Sequence, residues 1–232
     1  MKNICFIGAF DKLDLILYTS KIINDLGNKV LIVDATSLQK SRYIVPTITP
    51  AKSYITRYGD VDIAVGFESY EEIERYIGLT EEQKMKYDYA IIDIDDVSVF
   101  KNFNNDDTIK NYFVTSFELY SIKKGLETIS KIDKPIKVSK IIFSREINQA
   151  DDYYLEYLSL GYKIIWEENN INFPYETQDL EAMIDNQKIS KIRTKGLTQQ
   201  YKDCLEYLLI DIFPNINLNN LRRTMKNLEK EG

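Results

Sequence analysis

Asn3-Ile4-Cys5-Phe6-Ile7-Gly8-Ala9-Phe10-Asp11-Lys12-Leu13, continued as far as Asp34, sets the architecture of this chain. Residues 3–8 read as a short buried strand, and 8–12 as a turn. An amphipathic helix follows to about Asp25, then Leu26-Gly27-Asn28 and a second apolar strand, Lys29-Val30-Leu31-Ile32-Val33-Asp34. Strand, turn, helix and strand in so few residues make a βαβ unit. The first turn of such a unit is where α/β folds bind nucleotides. Whether this turn still does so separates an enzyme from a scaffold.

The same alternation continues downstream. Asp88-Tyr89-Ala90-Ile91-Ile92-Asp93-Ile94-Asp95-Asp96 is the clearest central strand, apolar on both faces with acid at its carboxyl end. Tyr54-Ile55, Asp62 to Gly66, Asn111 to Thr115, Lys140 to Ser144 and Tyr162 to Trp166 are further strands. Ser69-Tyr70-Glu71-Glu72 is a capping box that opens a helix, and Thr80 to Gln83 starts another. Helices are also expected over 118–132, 151–160, 177–186 and 198–213, and an irregular loop over Ser41 to Pro50. The pattern predicts one three-layer α/β domain over 1–213, a mostly parallel sheet with helices on both faces, and a basic amphipathic tail over 214–232.

Composition narrows the chemistry. An apolar share of 44% supplies a core, and a net charge of −6 gives no basic footprint for nucleic acid. There is no histidine, which removes Ser-His and Cys-His nucleophile pairs and histidine metal sites together. Cys5 and Cys204 read as buried free thiols of a reducing compartment rather than a disulfide framework. Asp11 and Lys12 interrupt the first apolar stretch, so no secretory signal is read there, and no run of 18 apolar residues exists. A cytoplasmic protein is expected.

The segments "LGNKVLIVDAT", "YDYAIIDIDD", "YFVTSFELYSIKKGLETI" and "FPYETQDLEAMI", in that order, resemble the MinD/ParA group of P-loop ATPases. The last segment looks most like the pilus-assembly TadZ/CpaE branch. The resemblance implies a P-loop NTPase fold and a nucleotide site built on Gly8, Ala9, Asp11, Lys12, Asp34 and Asp93. Lys12 and Asp34 stand at the family's separation of Walker lysine and second-strand aspartate, and Asp93 matches the Walker B carboxylate. Three departures follow from that register. Ile7 replaces the lysine used across the dimer interface, Asp11 replaces the last loop glycine, and Leu13 replaces the hydroxyl that ligands Mg²⁺. Two unit charges about 4 Å apart repel by roughly 4 kcal/mol at an effective dielectric of 20, so Asp11 opposes a phosphate there. Leucine offers no oxygen to Mg²⁺. Ser144-Arg145 stands where relatives often carry an asparagine that reads adenine, and Pro174 lies at the family proline.

No catalytic residue and no resident cofactor are therefore expected. Lys12 is read as a solvated lysine paired with Asp11, Asp14 or Asp34, or else as an anion contact. Asp34 is read as a strand-end acid in a wet crevice. Together with Asp93, Asp95 and Asp96 it caps the following loops or holds Mg²⁺ or Ca²⁺. Three functions compete. The first is a non-catalytic adaptor for a pilus, secretion or conjugation machine, a homodimer with protein partners. Its 17 tyrosines suit an interface. The second is an active ATPase with an altered loop that positions cargo or DNA. The third is a Rossmann-type enzyme, since Asp34 follows Gly8 by about the distance of a ribose-binding acid; but Gly8 to Leu13 lacks G-x-G-x-x-G. In the tail, Leu218, Leu221, Met225 and Leu228 share a helical face, and Arg222, Arg223, Lys226 and Lys230 add charge. This helix is expected to pack on its own domain or a partner, or to touch a membrane weakly.

Overall fold

A computed structural model of the chain describes residues 1–46, 51–79, 83, 85–103, 107–144 and 149–230, with backbone alone for 149–152. In chain order the elements are β1 (Lys2–Ile7), α1 (Leu13–Asp25), β2 (Val30–Ala35), α2 (Ser41–Ile44), β3 (Tyr54–Tyr58), β4 (Val61–Val65), α3 (Tyr70–Tyr76), β5 (Tyr89–Ile94) and α4 (Val97–Phe103). They continue with β6 (Thr108–Ser116), α5 (Leu119–Ser130), β7 (Ile136–Ser144), α6 (Gln149–Leu158), β8 (Ile164–Pro174), α7 (Thr177–Lys188), α8 (Gln199–Ile212) and α9 (Leu218–Lys230). The helix start expected over 80–82, Arg145 and the end of the expected loop over 47–50 lie outside the described residues.

The strands form one sheet in the order β3-β4-β2-β5-β1-β6-β7-β8, and only β3 runs antiparallel to its neighbour. β1, β2 and β5 are apolar on both faces because both faces are covered. One core holds side chains of α1, α7, α8 and α9 against the sheet, and the other those of α3, α4, α5 and α6. This is the expected three-layer α/β architecture, with β1 in the middle.

β1 and β2 are not neighbours: β5 lies between them and pairs with both. That insertion matters for the site, because it sets Asp93 of β5 opposite Asp34 of β2 and opposite Phe6 of β1. Side chains at matched positions of parallel strands share a face.

Several elements differ from the sequence reading: β7 begins at Ile136 rather than Lys140, and β3 extends to Tyr58. Ser41–Ile44 is a helical turn rather than loop, nucleated by a hydrogen bond from Ser41 N to Asp34 Oδ2 at 3.0 Å. α4 was not expected; it exists because Phe100 and Phe103 bury against the sheet. β6 begins at Thr108 rather than Asn111. β8 runs on from Trp166 through Glu167-Glu168-Asn169-Asn170 to Pro174, as a sheet edge with a register shift opposite Val138 and Lys140. The polar residues tolerated there include Glu167, which is held by Lys110 Nζ at 2.8 Å and by Ser139 Oγ.

The tail is folded back on the domain. Leu221 and Leu228 of α9 are buried in the core that contains α1 and α8, and Met225 packs against it. Arg222 pairs with Glu206 at 2.8 Å, and Arg223 donates to Asn220 Oδ1 at 2.9 Å. The apolar stripe offered to a membrane or partner is therefore covered by its own domain at Leu221 and Leu228, Leu218 alone of the stripe remaining exposed, and Arg222, Met225, Lys226 and Glu229 line an open groove toward α8. Among the described residues no helix is long and apolar enough to cross a membrane.

Candidate functional site

The loop after β1 is fixed at its base by Gly8. Its amide donates to Ile94 O at 2.9 Å, and its φ of +141° lies where side chains are rarely accommodated. A Cβ there would stand against the carbonyl oxygen of Val114, far inside contact distance. The first loop glycine is thus required by the close approach of β6, with or without a ligand.

Lys12 is not solvated. It is 3% exposed, its Nζ lies 2.6 Å from Asp93 Oδ1, and it donates to Gly8 O at 2.8 Å. The partner is therefore Asp93 rather than Asp11, Asp14 or Asp34. The reason lies in sheet order, which brings β5 beside β1 and turns its carboxyl end under the loop. The contact is charge to charge, since Asp93 Oδ1 receives no well-directed hydrogen bond. Burial pushes the Asp93 carboxyl up to about 7, the Lys12 ammonium opposing this and the neighbouring Asp34 adding to it.

Asp11 does something no sequence pattern announced. Its Oδ1 accepts from Leu13 N at 3.3 Å, the first amide of α1, and its Oδ2 pairs with Lys40 Nζ. A carboxylate at a helix N-terminus satisfies an orphan N–H and the helix dipole together. The same amides and dipole are what a phosphate uses in a nucleotide loop. Leu13 itself is 2% exposed and packed in the core. Ala9 sits half-buried between these residues. Phe10 turns away from the loop and stacks on Phe143 at 4.8 Å, with Tyr175 edge-on at 6.3 Å.

Asp34 is 1% exposed, so the wet crevice expected for it does not exist. Oδ1 accepts from Thr36 N at 3.1 Å and Thr36 Oγ1 at 2.6 Å, while Oδ2 accepts from Ser41 N and Ser41 Oγ. Asp95 holds Ser37 N at 2.8 Å, and Asp96 holds Ser98 N at 2.7 Å. Asp34 and Asp96 thus cap the loops that follow them, whereas Asp95 reaches across to the loop after β2 and Asp93 pairs with Lys12. Among the described residues no three acidic or cysteine side chains converge as a metal ion would need. Near the site, Phe10, Ser116, Phe117, Phe143, Ser144 and Tyr175 bound a hollow of about 280 Å³ into which Pro174 does not reach. Lys40, Thr36, Ser41 and Phe143 complete the site; Thr36 and Ser41 are held by nearby Asp34, whereas Lys40 and Phe143 are recruited by Asp11 and Phe10, which are distant in sequence.

No protein-family model matches the sequence, and comparison with curated proteins finds no match. Solved structures do match. The MinC:MinD cell division protein complex of Aquifex aeolicus superposes with a TM-score of 0.54 at 16% identity, covering 90% of this chain and 96% of that one. A putative plasmid partition protein of Borrelia burgdorferi, bound to AMPPNP, gives 0.53 at 15% identity, over 90% and 99%. A ParA family ATPase of Chlorobium tepidum gives 0.51 at 14% identity, over 90% and 98%. The chain has the MinD/ParA fold. The Rossmann reading falls on the same ground. A Rossmann sheet runs 3-2-1-4-5-6 with its first two strands adjacent, whereas β5 separates β1 from β2 here, and the carboxylate of Asp34 is fully engaged by Thr36 and Ser41.

Proposed function

We propose that this MinD/ParA-fold chain is a non-catalytic member of the ATPase group, an adaptor or positional scaffold for a cell-envelope machine such as a pilus, secretion or conjugation apparatus. One observation carries the proposal: the first amide of α1, at the helix end where a phosphate would dock, already donates to the chain's own Asp11 carboxylate. Lys12 is engaged by Asp93 and Gly8, and Leu13 gives Mg²⁺ no oxygen, so the residues present do not fit a magnesium triphosphate. No turnover step is derived through this loop. A MinD solved with MinC supports the notion of a protein partner for this fold, and the "FPYETQDLEAMI" segment supports the TadZ/CpaE branch. The working form would be a homodimer, with peripheral attachment to the membrane made through its partners.

Thermal unfolding with ATP or ADP, with and without Mg²⁺, tests the reading. A ligand at a hundred times its Kd adds about 2.7 kcal/mol, or roughly 5–10 °C for a chain of this size. No shift is expected. A shift that disappears in Lys12→Ala, or steady phosphate release that does, overturns the proposal.

A second reading has one observation in its favour. Lys40, drawn over the loop by Asp11 and still partly exposed, is a cation that a triphosphate would attract. In that case the chain is an active ATPase with an atypical loop that positions cargo or DNA, as the AMPPNP-bound partition protein suggests for this fold. It predicts a nucleotide-dependent dimer and loss of nucleotide binding in Lys40→Ala.

A further inference from the structure

Behind Phe10, on the side away from the sheet centre, a cavity of about 130 Å³ opens between α1, α7 and α8. Its apolar wall combines aliphatic side chains with aromatic ones, Phe10 stacked on Phe143 and Tyr175 edge-on to Phe10. Its polar lining is acidic. Asp11 comes from the loop before α1 and is paired with Lys40, Asp14 comes from α1, Asp179 from α7, and Glu176 from the residue before α7. Asp14 accepts Gln187 Nε2 at 3.0 Å on each oxygen, and Asp179 accepts Thr198 N at 2.6 Å. Among the described residues Asp14, Glu176 and Asp179 form no ion pair, whereas Asp11 is held by Lys40.

Tyr201 supplies the independent sign of a missing ligand. It lines the cavity at 1% exposure, and its hydroxyl has no hydrogen-bond partner. Edge contacts with Tyr18 at 6.1 Å and Phe173 at 4.9 Å fix its ring. That leaves the phenol end close enough to Asp14 and Asp179 for both to act on it. A buried hydroxyl left unsatisfied costs free energy, and this one is held beside two carboxylates that already have other donors. The group that completes the set must donate several hydrogen bonds, carry positive charge and present a flat face to aromatic rings.

We propose that this cavity binds a guanidinium group. Guanidinium is planar, has N–H donors on every edge for Asp14, Asp179 and Tyr201, and stacks on aromatic faces. At about 30 Å³ for each water-sized atom, the cavity holds roughly four such atoms, the number in a guanidinium head. Burial raises the Asp14 and Asp179 carboxyls, with Lys40 and Lys202 opposing this only in part because they pair with Asp11 and Glu229, so a cation seated between the two carboxylates would offset that burial. The guanidinium comes either from a small molecule or from an arginine of a partner protein. The site shares Phe10 and Asp11 with the loop after β1, but binding there requires no nucleotide.

Calorimetric titration of the full chain with ethylguanidinium, with the uncharged isostere ethylurea, and with the peptide acetyl-Gly-Arg-Gly-amide tests the inference. Ethylguanidinium is expected to bind in the millimolar range and ethylurea at least about tenfold more weakly, as charge-assisted bonds are lost. Asp14→Asn should weaken ethylguanidinium by about tenfold and Tyr201→Phe by about fivefold. Tyr201→Phe removes an unsatisfied hydroxyl and so keeps the fold; melting curves of both variants confirm that loss of binding is not loss of structure. A peptide that binds more tightly than ethylguanidinium assigns the site to a partner's arginine, and the reverse order to a small molecule. Equal binding of ethylurea, unchanged affinity in a folded Asp14→Asn, or no heat with ethylguanidinium at tens of millimolar overturns the proposal.

Discussion

Replacing Asp93 by asparagine should make this protein more stable at neutral pH, contrary to the usual result of breaking a buried ion pair. Removing one partner of such a pair generally costs about 3–5 kcal/mol. Here desolvation is the largest influence on Asp93 and outweighs Lys12, lifting the carboxyl from 3.8 to about 7. A raised carboxyl in the folded state keeps a proton that the unfolded chain has already released. Stability therefore falls as pH rises from about 4 to 7, and is level above that. At about 1.4 kcal/mol per pH unit, the ionised carboxyl withdraws up to ~4 kcal/mol at pH 7. Asparagine resembles the protonated acid and does not titrate, so Asp93→Asn should match wild type within about 1 kcal/mol near pH 4. At pH 7 it should exceed wild type by up to ~4 kcal/mol, a rise of roughly 8–16 °C in Tm. Lys12→Met, which removes the one side chain that favours Asp93 ionisation, should extend the falling limb beyond pH 7. Urea unfolding followed by circular dichroism at several pH values between 4 and 8 reads both. An Asp93→Asn protein less stable than wild type at pH 7 would refute the reasoning, because the ion pair would then outweigh the burial.

Two further substitutions probe the frame around the site. Gly8→Ala should cost about 4 kcal/mol through its positive φ and the Val114 carbonyl oxygen, seen as a lower urea midpoint; a loss under about 1 kcal/mol would show that β6 can give way. Asp34→Ala removes every acceptor that holds Thr36 and Ser41, at about 3 kcal/mol. It should release α2 to trypsin at Lys40 and Arg42, and an unchanged cleavage rate would deny Asp34 that role.

The long apolar runs of β1, β2 and β5 and the 3.6-residue stripes of α1, α5 and α8 were legible because both faces of a central strand, or one face of a helix, must be apolar to be buried at all. The position of Asp93 at a strand end was legible for the same reason. α4 and the second half of β8 were not, since short or polar segments take their structure from what covers them: Phe100 and Phe103 find a core, and Glu167 finds Lys110. The site divides in the same way. Chain order alone fixes that Gly8, Lys12 and Leu13 follow a buried strand and open a helix, and that Asp11 precedes the first turn. Which charges meet was decided by the insertion of β5 between β1 and β2, which puts Asp93 rather than Asp34 under Lys12 and leaves Asp11 to Lys40. Local sequence constrains backbone periodicity over a few residues, but ion pairs form between side chains that the order of strands in a sheet brings together, and that order is settled by packing over the whole domain.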